Sequence, residues 1–591
     1  MVVVARNYSG NKVWSGSSDM CGVGGIYTLG SIKFGENHKK ILETINDAQF
    51  QRGPDSDGFL AGENFGLVHR RLAIIDLDPR SNQPMESTDW VLSYNGEIAN
   101  YRAIRTELKS KYNFSTTSDT EVLLLALQEW GIEGALKRCA GMFAFLAYNK
   151  RENILYAARD PLGIKPLVMT RIEDGSYCFA SSVSAIVKAL PERPWKPYKP
   201  ALASYFVLGA PFTRGTVFEG IERVEPAHYV KCLPDGRFTR HRYWEPSYQD
   251  QFSMDDLISI MKEYEVADVQ SALFLSGGVD SSFLVALTQK LDCFHLTSPE
   301  THFAKEVAAK FDRKFVCVEP NLSDYAEDVE KVIKFHGEPL MSCGIPFTVS
   351  KEVARQGYKM AISANGADEL LHGYPRTPIP EYIPRNLPLH ETRSYKWFSE
   401  QIAHIFRDSR NFEITELTEF IPSLIEIGND AMEKYHLTGF PPSASHRWFE
   451  LMTYVLHDLN PTLDAASMLN SIEVRVPFLD HRIVEGVLSW DAEKLVTPAL
   501  GRKAPLKQYL NEYFPISFFQ RPKLGFSIDK SLLADISKLG ESALTHASHS
   551  GFLNINNKKC FGEYHRDMIY LGSTCYGYSV WNSCGITNVN N

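Results

Sequence analysis

The chain predicts two folded units in series: an α+β sandwich of antiparallel sheets, then an α/β unit with a parallel sheet and a helical C-terminal part. Three observations predict this. From residue 22 to about 190, short β-rich runs such as "GVGGIYTL", "DWVLSYNGEI" and "GMFAFLAYN" alternate with turn signals, and helical patterns lie between them at 36–52 and 119–130. Beyond 265 the order becomes strand, glycine turn, helix, strand in "SALFLSGGVDSSFLVALTQKLDCFHLT", the alternation that builds a parallel sheet with crossover helices. From about 395 to 515 helical periodicity dominates. Length agrees, because 591 residues exceed one core at roughly 150 residues per domain.

Taken in order, residues 1–20 are rich in Ser, Asn and Gly and read as an extension ahead of the first unit, 21–200. The basic, proline-rich "LPERPWKPYKP" at 190–200 marks a boundary. Residues 201–254 form a connecting segment whose "GTVFEGIERVEPAHYVKCLPDGRFTRHRYWEP" reads as hairpin material between the units. The second unit spans 255–545, and a polar tail, 546–591, carries no signal.

Composition excludes several functional classes. With 44% hydrophobic and 23% charged residues the chain is not disordered. A net charge of -9 gives no basic footprint for nucleic acid or an anionic membrane, so the expected partners are small molecules, with a homodimer left open. Ten cysteines lie far apart without a C-x-x-C pair, which points to a reducing compartment and no zinc site. No run spans a bilayer, and the opening apolar stretch is too short for a secretory signal, so a cytoplasmic protein is expected.

Two motifs carry chemistry. "FLSGGVDSS" places Phe274, Leu275, Ser276, Gly277, Gly278, Asp280, Ser281 and Ser282 where an apolar strand meets a helix. Chance occurrence of its six specified letters is on the order of one in 10⁵ for a chain of this length. The glycines let backbone approach a phosphate, the helix N-terminus favours an anion, and the hydroxyls donate to it. Asp280 would repel that anion without an intervening cation, so magnesium is expected. A helix-capping turn is the bland alternative, and it does not account for the aspartate. No lysine follows the loop, so γ-phosphate transfer is not indicated. In "SSDMCGVGGIY", Cys21 follows an internal methionine, Met20. Processing at Met20 would leave Cys21 with a free α-amine, whose pKa of about 7.7–8.0 suits it to shuttle the thiol proton.

The loop resembles that of the ATP pyrophosphatase (PP-loop) family. Together with "GADELLHGY", "SIEVRVPFLDHRIVE", "RKAPLKQYL" and "RPKLGFS", the chain resembles the glutamine-hydrolysing asparagine synthetase group within it. "RGPDSDG", "HRRLAIIDL", "SYNGEIANYRAIR" and "TSDTEVLLLAL" are similar to the class II glutamine amidotransferase domain, an N-terminal nucleophile hydrolase with an αββα sandwich. The resemblance runs from Cys21 to about residue 530. It implies Cys21 as nucleophile, Asn95 and Gly96 as oxyanion hole, Arg71 on the glutamine α-carboxylate, Asp119 on its α-ammonium, and Glu97 orienting it, while Arg52 braces the site. It further implies ATP bound at the loop with Leu296 and Ser363, Mg²⁺ held by Asp280 and Asp368, and Lys503 stabilising charge at the α-phosphorus. The reaction so implied converts L-aspartate, ATP, glutamine and water to asparagine, AMP, diphosphate and glutamate. Ammonia would need a shielded path, expected near "GMFAFLAY" and "RDPLGIKPL" (159–167).

The pattern breaks at several places. Asn365 stands where the family has a glutamate, Met341, Ser342 and Cys343 replace its usual segment, Ala465 stands for an arginine, and Ser182 for a glutamate. An amide cannot act as a base. These departures gather on the acceptor side, and they keep open the same chemistry on another carboxylic acid, such as a uronate or a malonyl-type acid. A degraded scaffold protein is the alternative from another class, and ammonia dependence follows if residues 1–20 persist.

Overall fold

The computed structural model describes residues 21–374 and 437–521, apart from 290, 341 and 342, together with two short strands that pair with each other, Phe412–Glu413 and Asn554–Ile555. The extension 1–20, Met341, Ser342, most of the helical stretch read over 395–436, everything in "RPKLGFS" after Arg521 and most of the 546–591 tail therefore lie outside the described residues.

Alternating apolar residues build the first unit. Its strands are β1 (Gly22–Tyr27), β2 (Ser56–Ala61), β3 (Phe65–Arg71), β4 (Met85–Glu86), β5 (Trp90–Ile98), β6 (Gly141–Asn149), β7 (Ile154–Arg159), β8 (Val168–Arg171), β9 (Tyr177–Ala180), β10 (Ile221–Arg223), β11 (His228–Cys232) and β12 (Phe238–Arg242). They form two antiparallel six-stranded sheets, ordered β10-β8-β9-β1-β3-β2 and β12-β11-β7-β6-β5-β4. Along β6, Ala144, Leu146 and Tyr148 join the core between the sheets, while Phe143, Phe145 and Ala147 join the core beneath the helices. Both faces are thus covered, and the strand reads as one apolar run.

Helices close each outer face. α1 (Glu36–Ala48) buries His38, Ile41, Leu42 and Ile45, spaced three to four residues apart, and packs on β1 and β3. α2 (Tyr101–Leu108) and α3 (Asp119–Leu136) cover the other sheet, and the α3 N-terminus is fixed by Ser118, whose hydroxyl accepts from the Glu121 N–H at 3.3 Å. The layers are helix, sheet, sheet, helix, the sandwich expected from the sequence. The segment read as connecting material contributes more than a bridge, because β10 extends one sheet and β11–β12 the other. Strands of three to five residues are too short to stand out from their surroundings in composition.

The second unit holds a parallel sheet: β13 (Ser271–Phe274), β14 (Asp292–Leu296), β15 (Phe315–Val318), β16 (Met360–Ile362) and β17 (Glu473–Arg475), ordered β15-β14-β13-β16-β17. Crossover helices follow β13, β14, β15 and β16 as the alternation predicts, and helices dominate 442–510. Among the described residues no helix is long and apolar enough to cross a membrane.

Buried polar links join the units across large sequence separations. The Arg52 guanidinium, 1% exposed, meets Asp464 at 3.0 Å, and the Arg223 guanidinium meets Glu338. Such pairs are costly to break singly, because the remaining charge is stranded away from water.

Candidate functional sites at two ends of the chain

Cys21 sits at the start of β1, beside the end of β3. Its Sγ accepts from the Leu72 N–H at 3.3 Å, and its carbonyl accepts from Arg52 Nε at 3.2 Å. Burial pushes the thiol up to about 12, against a weaker opposing effect of the Leu72 backbone. A thiol held there needs a base beside it to react near neutral pH.

β5 passes through the same region and supplies Asn95, Gly96 and Glu97. The Asn95 amide is buried, and neither its Nδ2 nor its Oδ1 has a hydrogen-bond partner. Buried polar groups are almost always satisfied, so an orphaned amide here is available to an oxygen from outside the chain, whether of water or of a ligand. Gly96 has φ of 147°, and a Cβ there would lie 2.1 Å from the Met142 carbonyl, so no other residue fits.

Arg71, at the end of β3, is buried and held by the loop after it. Its Nη1 donates to the Asp78 carbonyl at 3.1 Å and to Asn82 Oδ1 at 2.8 Å, and its Nη2 donates to the Asp76 carbonyl. Asp119, in the first turn of α3, accepts from Tyr94 Oη at 2.7 Å and from the Ile98 N–H at 3.1 Å. Burial pushes its carboxyl upward, and these two bonds oppose that shift. One Glu97 oxygen meets Arg475 of the second unit at 2.8 Å, and the other is buried with no partner.

In the second unit the expected nucleotide residues gather at the carboxyl ends of parallel strands, where open α/β sheets bind ligands. Phe274 and Leu296 end β13 and β14, and Ser363 follows β16 directly. Leu275, Ser276, Gly277 and Gly278 form the turn into the helix Val279–Leu287. Gly277 has φ of 81°, and a Cβ there would lie 2.7 Å from the Ala304 nitrogen. Ser276 Oγ accepts from the Gly278 N–H at 3.2 Å and lies 2.9 Å from Ser281 Oγ. Ser282 Oγ and Asp280 Oδ1 are buried without partners.

Lys503 brings the acidic residues together. Its ammonium contacts Asp280 and lies 2.5 Å from Asp368 Oδ1; the two carboxylates hold it firmly protonated despite burial. Two carboxylates on one side of a phosphate loop, one with an unused oxygen, suit a divalent cation shared with phosphate oxygens. No cluster of three or more His, Cys, Asp or Glu side chains suited to a metal occurs among the described residues, so substrate oxygens would have to complete the shell.

Of the departures, Asn365 accepts from Ser363 Oγ at 2.8 Å, Ala465 and Cys343 are buried, and Ser182 caps the helix Val183–Ala189 by accepting from the Ala185 N–H at 3.3 Å. The block 159–167 lines two cavities between the units. A larger one of about 590 Å³ extends to Trp448 and Asp464, and a small one of about 10 Å³ is walled by Ile164, Lys165, Asn460 and Val474. β6, the other stretch expected near a passage, lines neither of these. Sequence reasoning did not find Asp464 or Arg475, nor Arg521, which donates to the Gly277 carbonyl and meets Glu300 at 3.0 Å. Arg475 lies inside the quoted "RVPFLD" block, but nothing local signals a partner 378 residues away.

Known proteins share both halves. A glutamine amidotransferase domain model matches residues 20–244, and an asparagine synthase model matches 257–564. Asparagine synthetase [glutamine-hydrolyzing] 1 of Bacillus subtilis (strain 168) is 30% identical over 86% of this chain and 87% of its own length. A second protein of that strain, asparagine synthetase [glutamine-hydrolyzing] 3, is 28% identical over 80% of this chain and 81% of its own. The amidase chyE of Penicillium rubens is 26% identical over 76% and 77%. With a cysteine half and a phosphate-loop half each matched in order, and a relative aligned along most of both lengths, the chain belongs to the glutamine-hydrolysing asparagine synthetase family.

Proposed function

We propose that the enzyme transfers the amide nitrogen of glutamine to an adenylated carboxylate, with L-aspartate as acceptor: aspartate, ATP, glutamine and water give asparagine, AMP, diphosphate and glutamate. The observation that carries this reading is the buried, unpartnered Asn95 amide on β5, in one chain with Cys21 at the start of β1 and with the loop 274–282.

At the first site, Arg71 and Asp119 bind the α-carboxylate and α-ammonium of glutamine, and Glu97 orients it. The Cys21 thiol passes its proton to its own α-amine and attacks the side-chain carbonyl. Asn95 Nδ2 and the Gly96 N–H hold the resulting oxyanion. Collapse expels ammonia and leaves a thioester, and water then releases glutamate and restores the thiol.

At the second site, the turn 274–278 with Ser281 and Ser282 cradles the phosphates of ATP, and Leu296 and Ser363 flank the nucleotide. A carboxylate oxygen of the acceptor attacks the α-phosphorus and pyrophosphate leaves. Lys503 stabilises charge at that phosphorus. Mg²⁺, when bound by Asp280 and Asp368, would neutralise the pyrophosphate. Ammonia arriving from Cys21 attacks the acyl carbon and AMP departs. Removing the ammonia from solvent keeps it unprotonated, and the cavities along 159–167 support a route between the units.

The acidic chain fits a cytoplasmic enzyme of small molecules, with neither nucleic acid nor membrane as partner, and a homodimer remains compatible. Asn365 favours a second reading, the same chemistry on another acid. The deciding experiment measures pyrophosphate release with glutamine against a panel of acids. Turnover of aspartate well above all others is expected, whereas preference for another acid replaces the acceptor and no pyrophosphate with any acid overturns the reading.

A further inference from the structure

Arg475 ends β17 with its side chain wholly buried. Its Nη2 donates to Glu97 Oε2 at 2.8 Å, its Nε to Glu473 Oε1 at 2.7 Å, and its Nη1 to the carbonyls of Tyr264 and Val266 at 3.1 and 2.7 Å. Its own carbonyl accepts from the Ser363 N–H at 2.9 Å, and Ser363 Oγ donates to Asn365. One residue therefore grips the strand of Asn95 and Gly96 through its side chain and the turn after β16 through its main chain.

Docking the two units does not need this contact. Arg52 with Asp464, Arg223 with Glu338 and Lys359 with Asp55 hold the interface elsewhere. Unlike those three pairs, Arg475 touches the side chain of the residue next to the proposed oxyanion pair. Glu97 divides its two oxygens, one on Arg475 and one buried and unpaired. A glutamine ammonium held by Asp119 that also reaches the free oxygen would compete with the guanidinium for the same carboxylate charge, and a carboxylate only 2% exposed is little screened by solvent. Any shift of the guanidinium is carried along a rigid strand end to Ser363.

We infer that Arg475 is a positioning residue that couples glutamine capture at Glu97 to occupancy of the nucleotide and acid site at Ser363 and Asn365. The inference rests on the function proposed above. Coupling between two binding sites is reciprocal, so ATP with the acid must change the affinity for glutamine by the factor through which glutamine changes theirs.

The test uses the full chain with Cys21 at its N-terminus and compares wild type with Arg475→Lys and Arg475→Met. Arg475→Lys keeps a charge beside Glu97 but cannot also reach Glu473, Tyr264 and Val266. Glutamate release is measured with and without ATP plus the acid acceptor, and pyrophosphate release is measured with ammonium chloride in place of glutamine. In wild type the KM for glutamine shifts about fivefold or more on adding ATP and acid. In both variants that shift falls to within about twofold of unity, and more glutamate is released per pyrophosphate, while ammonium-driven pyrophosphate release stays within about threefold of wild type. A shift retained in the variants, a wild type without any shift, a parallel loss of the ammonium-driven reaction, or failure of both variants to fold would overturn the inference. Absence of pyrophosphate from wild type with every acid would instead overturn the proposed function.

Discussion

Replacing Asn95 by alanine separates stability from catalysis in a way few site substitutions do. The side chain is 1% exposed and both its polar atoms are unpartnered. A buried unsatisfied amide costs about 1–3 kcal/mol, and removing it relieves that cost. The cavity left behind, on the order of 30 Å³ at about 24 cal/mol per Å³, costs about 0.7 kcal/mol. The fold should therefore be as stable as before or slightly more so. Losing one oxyanion donor, by contrast, removes about 2.7–4 kcal/mol of transition-state stabilisation, a fall of about 10²–10³ in kcat for glutamate release. Thermal unfolding and a glutaminase assay on the same preparation, with ammonium-driven pyrophosphate release as control, measure both. A fall of less than about tenfold in glutamate release, or a loss of stability above about 2 kcal/mol, would refute the assignment of Asn95 as an oxyanion donor.

Three further outcomes follow from the geometry. Protein that retains residues 1–20 should release pyrophosphate with ammonium chloride but fail with glutamine, because a thiol pushed up to about 12 is only about 10⁻⁴ thiolate at pH 8 without the α-amine; equal glutaminase activity in the two forms would contradict this. Gly277→Ala, whose Cβ would meet the Ala304 nitrogen at 2.7 Å, should lower pyrophosphate release about tenfold or more and leave glutamate release within about twofold, as paired assays of the two halves will measure. His69 is buried against the Tyr94 carbonyl and burial pushes it down to about 3, so as pH falls from about 6.5 toward 3 the unfolded chain takes up a proton that the native chain refuses. The stability deficit of His69→Gln relative to wild type should therefore shrink by about 1.4 kcal/mol per pH unit across that window in denaturant titrations, and a constant deficit would contradict the neutral assignment.

Legibility in the sequence followed sequence distance. The run 274–282 is contiguous, so its glycines and hydroxyls give the expectation of a phosphate site before any fold is known. The alternation that separates the antiparallel sandwich from the parallel sheet is equally local, and the two sheet topologies agree with it. Asn95, Gly96 and Glu97 could be named from one short run, yet the meaning of Glu97 depends on Arg475, 378 positions later. Arg52 and Asp464 are 412 apart, and neither lies in a pattern that points to the other. Strands β10 to β12 were hidden for a different reason: runs of three to five residues carry too little periodicity to show which sheet they extend.

The account depends on nitrogen passing inside the protein from Cys21 to the activated acid. Glutamine carrying a heavy-nitrogen amide label, supplied with ATP and aspartate in an excess of unlabelled ammonium chloride, tests this directly by mass analysis of the amide product. Product that carries the label is the predicted result. Product whose nitrogen matches the surrounding ammonium would contradict the account.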